Sequence, residues 1–132
     1  MPLDASLMFR TTGSLTATES LGPLTVYGGE GDLAVRVTVP KGYGANDTIL
    51  PKVHLSSDNS TYNLIAQYAK GATKPGSAGC DLMIPFGVPA GKWYVKLELV
   101  VTAASTTSDF GVAVAGIVAN QPYDWTRSGG LA

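Results

Sequence analysis

The sequence predicts an all-β protein, an antiparallel β-sandwich of about eight short strands. Two observations support this fold class. Alternating apolar and polar residues recur along the chain, and clusters of Gly, Pro, Asn, Asp and Ser interrupt them every 8–12 residues or so. No segment has the spacing of a convincing amphipathic helix. Eight strands in two facing sheets would make a jelly roll.

The clearest strand is predicted at 92–102, after a Pro/Gly turn at 87–91. Its residues alternate strictly, so one face covers a core and the other meets water. The inward set is Trp93, Val95, Leu97, Leu99 and Val101. The outward set is Lys92, Tyr94, Lys96, Glu98 and Thr102, with Val100 as the apolar break among them.

Shorter strands are predicted on either side of this one, and the 132 residues suit a single domain spanning 1–132. The residues 1–20 are expected to form an extended N-terminal arm, and 120–132 a C-terminal tail. In the last strand, the side chains of one face are small enough for another surface or another subunit to approach closely; this face is formed by Gly111, Ala113, Ala115 and Ile117. The shorter strands are expected at 7–10, 15–18, 24–27, 33–39, 52–57, 62–68, 81–86 and 109–119, and a helix at 4–10 is the alternative for the first.

Composition narrows the class of function. Charged residues make up 14% of the chain and the formal net charge is -1, which argues against a nucleic-acid binder. A surface with so few charges suits contact with another protein. No apolar run reaches the roughly 18–20 residues of a membrane helix, and the first twenty residues lack the apolar stretch of a signal peptide. We therefore expect synthesis in the cytoplasm and no membrane partner.

Catalytic and metal chemistry are not expected. The chain has one cysteine, Cys80, and one histidine, His54, too few for a zinc site or a disulfide. His54 lies on the outward face of its strand beside Ser56 and near Asp58, but a Ser-His-Asp site is assembled from distant segments. Asp58 and Asn59 are better explained as an Asx-type turn than as calcium ligands. We predict no enzyme activity and no cofactor.

Aromatic residues indicate binding. Tyr94 faces outward from the clearest strand, and Tyr123 and Trp125 lie in the tail. Sugar-binding sandwiches stack ligands on such rings, so a glycan-binding module is the alternative function. Tail aromatics also act as anchors that fill a pocket of a neighbouring protein. Because a tail is a poor rigid platform, the anchor is preferred.

Five segments, taken in order, resemble the cement, or decoration, proteins of tailed-phage capsids, in particular the jelly-roll type of a Bordetella podovirus. The resemblance covers nearly the whole chain, and the loop 70–79 has no counterpart in it. The matching segments are LDASLMFR, LAVRVTV, VHLSSDNSTY, IPFGVPAGKWYVKLELVV and GIVANQPYDW.

This resemblance implies a structural virion protein. Such proteins lie outside the phage head at capsomer junctions, where they bridge copies of the major capsid protein and strengthen the shell against DNA pressure. It also implies a homodimer or homotrimer made in the host bacterial cytoplasm. For the arm, ordinary packing on its own sandwich is the alternative, and for the tail, disorder. The expected capsid or subunit contacts are Leu7, Met8, Phe9, Arg10, Tyr94, Tyr123, Asp124, Trp125 and Arg127.

Overall fold

A computed structural model of the chain describes residues 7–28, 33–41, 47–75, 78–102 and 110–119. This part of the chain contains eight β-strands and no α-helix, so the all-β prediction is confirmed. The strands are β1 (Met8–Arg10), β2 (Glu19–Gly28), β3 (Leu33–Val39), β4 (Thr48–Ser56), β5 (Asn63–Gln67), β6 (Cys80–Phe86), β7 (Gly91–Thr102) and β8 (Val114–Ala119).

The strands form two four-stranded antiparallel sheets. The first sheet has the order β1-β8-β3-β6, and the second has the order β2-β7-β4-β5. Each strand of the first half therefore pairs with its mirror image in sequence order: β1 with β8, β2 with β7, β3 with β6, and β4 with β5. A long hairpin folded over itself in this way is a jelly roll, as the turn spacing predicted.

The core lies between the two sheets and is almost entirely aliphatic. From β7, Val95, Leu97 and Leu99 are fully buried, as their alternation predicted. Val35 of β3 and Ile84 of β6 enter the same cluster from the first sheet. Burying each side chain of this size contributes about 1.5–3 kcal/mol. β4 adds as many buried apolar side chains to the core as β7 does, namely Ile49, Val53 and Leu55.

β4 begins four residues earlier than predicted, at Thr48 rather than Lys52, because Pro51 lies inside the strand. The carbonyl of Pro51 accepts a hydrogen bond from the Tyr68 amide at 3.2 Å, on the side where β5 lies. A strand residue directs its N–H and C=O to the same side. The missing N–H of Pro51 therefore faces the end of β5, and the ladder between β4 and β7 is unbroken.

The structure of the region before the predicted strand at 24–27 also differs from the prediction. β2 runs from Glu19 to Gly28, with an irregular register between Leu21 and Leu24. The strand predicted at 15–18 does not form. Leu15 is instead fully buried, and its amide and carbonyl bond the backbone of Gly111 and Phe110 across the molecule. The predicted strand at 7–10 is confirmed as β1, an edge strand of the first sheet.

β8 is shorter than predicted, and its small residues have a different role. Three residues of this face are at most 2% exposed and belong to the core cluster: Ala113, Ala115 and Ile117. Of the two predicted possibilities, close approach of another surface is confirmed, since this face lies in the core of its own sandwich, and approach of another subunit is wrong. This face belongs to the core cluster between the two sheets, together with residues of the second sheet such as Val53 and Leu97.

Candidate functional site

The outer face of the second sheet gathers aromatic and charged side chains from several elements. Alternation along β7 turns Tyr94, Lys96 and Glu98 away from the core. The register sets Lys96 beside His54 of β4, and the turn after β4 adds Tyr62. We call this surface the tyrosine–lysine face; its residues are His54, Tyr62, Lys92, Tyr94, Lys96 and Glu98.

Lysines cover the two tyrosine rings of this face. The Lys96 ammonium lies 4.5 Å from the centre of the Tyr62 ring, and that of Lys92 lies 5.4 Å from the centre of the Tyr94 ring. Such cation–π contacts contribute about 0.5–1 kcal/mol at exposed positions. Partial burial, with Tyr94 and Asp58 nearby, raises the pKa of Tyr62 above its usual value. Each lysine occupies a ring surface on which a sugar would stack.

A shallow groove of about 260 Å³ crosses this face, lined by Ser20, His54, Tyr62, Lys96 and Glu98. His54 Nε2 lies 3.2 Å from Glu98 Oε1, and both side chains are partly exposed. A protonated His54 would therefore form an ion pair here. The groove is open and lies on the sheet surface, and at about 260 Å³ it is smaller than the roughly 300–1,000 Å³ of typical small-molecule sites.

The turn between β4 and β5 is held by one carboxylate. Asp58 Oδ1 accepts hydrogen bonds from the Ser56 hydroxyl at 2.8 Å and from the amides of Ser60 and Thr61 at 2.9 and 3.0 Å. These three bonds stabilise the charged form and lower the pKa of Asp58 to about 2. The predicted Asx-type turn is confirmed. Ser56 is thus committed to the turn, while His54 contacts Glu98 instead.

The same turn positions an aromatic residue of the tyrosine–lysine face. Asn59 adopts a φ of 60°, in the left-handed region that asparagine tolerates. Its side-chain oxygen accepts a hydrogen bond from the Tyr62 hydroxyl. The ring of Tyr62 is therefore fixed at its tip by the turn and at its face by Lys96.

Arg10, a predicted capsid contact, is tied to its own sandwich. Only 7% of it is exposed. Its Nε and Nη2 donate to the two carboxylate oxygens of Glu19 at 2.9 and 3.0 Å. Its Nη1 lies within hydrogen-bond distance of the carbonyls of Thr12, Gly13 and Ala113. The guanidinium thus joins β1, the following turn, β2 and the entry to β8.

The other arm residues also lie on the sandwich. Leu7 and Phe9 are half-buried and pack against the core cluster, and Met8 is half-buried on β1. This is the ordinary edge packing that was the alternative for the arm. Part of each side chain is still accessible, and the expectation that Leu7, Met8, Phe9 and Arg10 contact a capsid stays a prediction.

Large apolar side chains are exposed at the edges of the sheets, and sequence reasoning missed them. Tyr27 of β2 is 58% exposed, Leu64 and Ile65 of β5 are 50% and 39% exposed, and Met83 of β6 is 39% exposed. A signal was present for β5, because two adjacent aliphatic residues cannot both face the core from a regular strand. These side chains leave apolar surface on three edge strands.

One end of the sandwich holds an apolar cavity of about 380 Å³ between the sheets. Val26 and Tyr27 line it from the second sheet, and Leu33 and Ile117 from the first. Leu7 and Thr25 also line it. The cavity lies where β8 ends, since Ala119 pairs with Leu33.

The remaining site predictions have different outcomes. Tyr123, Asp124, Trp125 and Arg127 lie outside the described residues, so their contacts stay predictions. Cys80 is a half-buried free thiol, and burial raises its pKa. Within the described ranges, no three His, Cys, Asp or Glu side chains lie close enough to hold a metal ion. The same ranges contain no helix of the length and hydropathy that a membrane span needs.

Comparison with known proteins finds little similarity. No family model matches the chain, and no curated protein matches it. Among solved structures, a chain of the "Structure of infectious bursal disease virus Gt strain" is similar over 88% of this chain, at 12% sequence identity and a TM-score of 0.43. This chain spans about a third, 33%, of the length of that viral chain. At this TM-score the similarity carries no argument about function.

Proposed function

We propose that this chain is a structural virion protein, a decoration protein that binds the outer surface of a phage head where capsomers meet. Its partners are the major capsid protein and further copies of itself. The resemblance of five ordered segments to the cement proteins supports this, and so does the jelly roll, a fold used in viral capsid and lectin domains and in cupins. Fold alone does not choose among these classes, so the choice depends on the surface.

The observation that carries the proposal is the apolar surface on separate edges of one sandwich. Tyr27 on β2, Leu64 on β5 and Met83 on β6 are each exposed by more than a third. A protein that closes a seam must hold at least two neighbours at once. Apolar side chains on different edges meet this need.

The mechanism follows from rigidity and multiple contacts. The core is aliphatic and closely packed, so contacts on its opposite edges keep a fixed separation. Once one edge is bound, the next contact is effectively intramolecular, and total affinity exceeds that of either contact. The capsomers then separate only if several contacts break together, which raises the pressure that the shell withstands.

The glycan-binding alternative is not favoured by the geometry of the tyrosines. Lys96 and Lys92 lie against the rings of Tyr62 and Tyr94, which are the rings a sugar would need. Binding there would require the lysines to move and both cation–π contacts to be lost. We therefore propose a role in protein contacts, without enzyme activity, for the tyrosine–lysine face.

Sedimentation with undecorated capsids tests the proposal. We expect the full chain to co-sediment at about 1 μM and decorated capsids to survive more heat or osmotic shock than bare ones. Met83→Lys should weaken binding, because it places a charge in an apolar contact. Thr102→Lys, a change at an exposed polar position, is the control. Absence of co-sedimentation at micromolar concentration would overturn the proposal.

A truncation after Gln121 tests the tail separately. Loss of Tyr123, Asp124, Trp125 and Arg127 should weaken capsid binding if these residues anchor the protein in a capsid pocket. Unchanged binding by the truncated chain would show that the assignment of the tail is wrong, even if the decoration function is right.

A further inference from the structure

The outer face of the second sheet carries three lysines. Lys92 and Lys96 point outward from β7, and Lys52 points outward from the neighbouring strand β4. The register sets Lys52 opposite Glu98, so it adjoins the tyrosine–lysine face. Within the described residues, no carboxylate lies within ion-pair distance of any of these three ammonium groups.

The outer face of the first sheet shows a contrasting arrangement. There Arg36 bonds Asp81 through two guanidinium nitrogens, at 2.7–3.2 Å. On the second sheet, Glu98 is the one carboxylate that the described strands turn outward, and it contacts His54. Asp58, in the turn at the edge, accepts the hydrogen bonds of that turn. The positive charge of the lysines is therefore only partly compensated by their own chain.

The charges of the chain are thus divided unequally. Three lysines against Glu98 give the outer face of the second sheet a formal charge of +2, whereas the whole chain has -1, which leaves -3 for the remaining residues. An asymmetric charge distribution of this kind orients a protein partner before contact and raises the association rate. The outer face of the second sheet should therefore favour a negative surface and repel a positive one.

Two of the lysines are positioned before any partner binds. The Lys96 ammonium lies 4.5 Å from the centre of the Tyr62 ring, whose hydroxyl bonds Asn59, and the Lys92 ammonium lies 5.4 Å from the centre of the Tyr94 ring. A lysine side chain carries about 2 kcal/mol of rotamer entropy, and these contacts reduce the part that is lost on binding. The Cα atoms of the two lysines lie about 13 Å apart, as four residues of a strand require.

We propose that this face docks an acidic surface of a partner protein, whose carboxylates pair with Lys52, Lys92 and Lys96. Charge complementarity supports this occupant. A nucleic-acid duplex carries a negative charge about every 1.7 Å, far more than three lysines neutralise. A neutral glycan would have to displace the lysines from the tyrosine rings. The inference deepens the proposed function and rests on it in one respect: the partner is then the major capsid protein.

Co-sedimentation with undecorated capsids at two salt concentrations tests the docking. Raising NaCl from about 50 to about 300 mM should raise the dissociation constant at least about fivefold, because exposed charge pairs are screened. Lys96→Glu should raise it at least about tenfold at the lower salt concentration. Lys70→Glu, at an exposed position after β5, changes the net charge equally and should have less than about a twofold effect. Equal effects of the two variants, or binding that salt does not weaken, would overturn the proposal.

A variant that should gain affinity avoids dependence on a destabilised fold. Glu98→Gln removes the one outward carboxylate of the described strands of this sheet and nearly keeps the shape of the side chain. Binding to capsids should therefore tighten at least about threefold. A loss of stability cannot produce tighter binding. Weaker or unchanged binding by Glu98→Gln would contradict the proposal.

Binding of poly-L-glutamate tests the face without a capsid. At about 50 mM NaCl we expect saturable binding that Lys96→Glu abolishes and Lys70→Glu keeps. Tighter binding of a DNA duplex of equal total charge would show that the face selects nucleic acid. Self-association of the wild type that Lys96→Glu abolishes would show that the acidic surface belongs to a second copy. Either of these two results would overturn the proposal.

The two proposals can fail independently. Capsid binding that neither salt nor charge reversal changes would refute the acidic docking and keep decoration. Binding of poly-L-glutamate through Lys96, by a chain that does not co-sediment with capsids, would refute decoration and keep the docking.

Discussion

Replacing Arg10 should destabilise the fold far more than replacing another arginine that is paired just as closely. Arg10→Ala removes a guanidinium that bonds Glu19 through two nitrogens and also reaches the Ala113 carbonyl. Arg36 makes a comparable two-nitrogen contact with Asp81, at 2.7–3.2 Å. The pairs differ in burial: the Arg10 side chain is 6% exposed and that of Arg36 is 36% exposed.

The size of the effect follows from these exposures. Loss of the buried bond to the Ala113 carbonyl costs about 1–3 kcal/mol. Glu19 is 33% exposed and regains water, so the ion pair itself adds no more than about 1 kcal/mol. The buried methylenes of Arg10 add about 1 kcal/mol. We expect Arg10→Ala to lower the free energy of unfolding by about 3 kcal/mol, and Arg36→Ala by less than about 1 kcal/mol.

Urea unfolding at pH 7, followed by circular dichroism, measures both values. With a slope of about 1.5 kcal/mol per molar urea, Arg10→Ala should unfold at a midpoint roughly 2 M below the wild type. Arg36→Ala should stay within about 0.7 M of the wild type. Equal shifts of the urea midpoint for the two variants would refute the view that burial determines the loss of stability. A negligible shift for Arg10→Ala would leave Arg10 available for a partner.

Two further predictions concern the turn and the core. Because hydrogen bonds lower the pKa of Asp58 to about 2, its stabilising effect is full above about pH 4 and is lost as the pH falls through 2. Asp58→Ala should therefore lower the melting temperature at pH 7 and hardly change it at pH 2; an equal change at both would contradict this. Leu97→Ala should cost about 2–5 kcal/mol in urea unfolding, and Val100→Ala on the outer face of β7 less than about 1.5 kcal/mol, because only Leu97 is fully buried. Similar losses would contradict the predicted orientation of β7.

Sequence periodicity predicted the strands whose faces are cleanly divided. β7 was predicted to within one residue because its alternation is strict, and β3 and β6 likewise. Two of the segments whose bounds differ from the prediction contain prolines, Pro23 in β2 and Pro51 in β4. Whether a proline interrupts a strand depends on which side its missing N–H faces. The direction of the missing N–H relative to the neighbouring strands depends on the strand order of the sheet, and the sequence alone does not reveal that order.

The candidate site was less predictable than the fold. The outward position of Tyr94 followed from alternation, but its contact with Lys92 did not. Arg10 was assigned to a capsid contact as part of the N-terminal arm in the resemblance to cement proteins. Its acceptors on Glu19 and Ala113 lie 9 and 103 residues away along the chain, so the sequence did not reveal them. Exposure of Leu64 and Ile65 was also missed, since edge position is a property of the sheet order.

The mirror-image pairing of strands has a consequence for the order in which the molecule folds and opens. The loop between β4 and β5 is the shortest to close, and each successive pair, from β3 and β6 outward to β1 and β8, closes a longer one. Loop-closure entropy rises with that length, so we expect folding to begin at the Asp58 turn and to finish at β1 and β8. Amide protons of this last pair should exchange with solvent soonest. Arg10 lies on β1, and its hydrogen bonds to Glu19 and to the Ala113 carbonyl therefore stabilise the strand pair that we expect to form last.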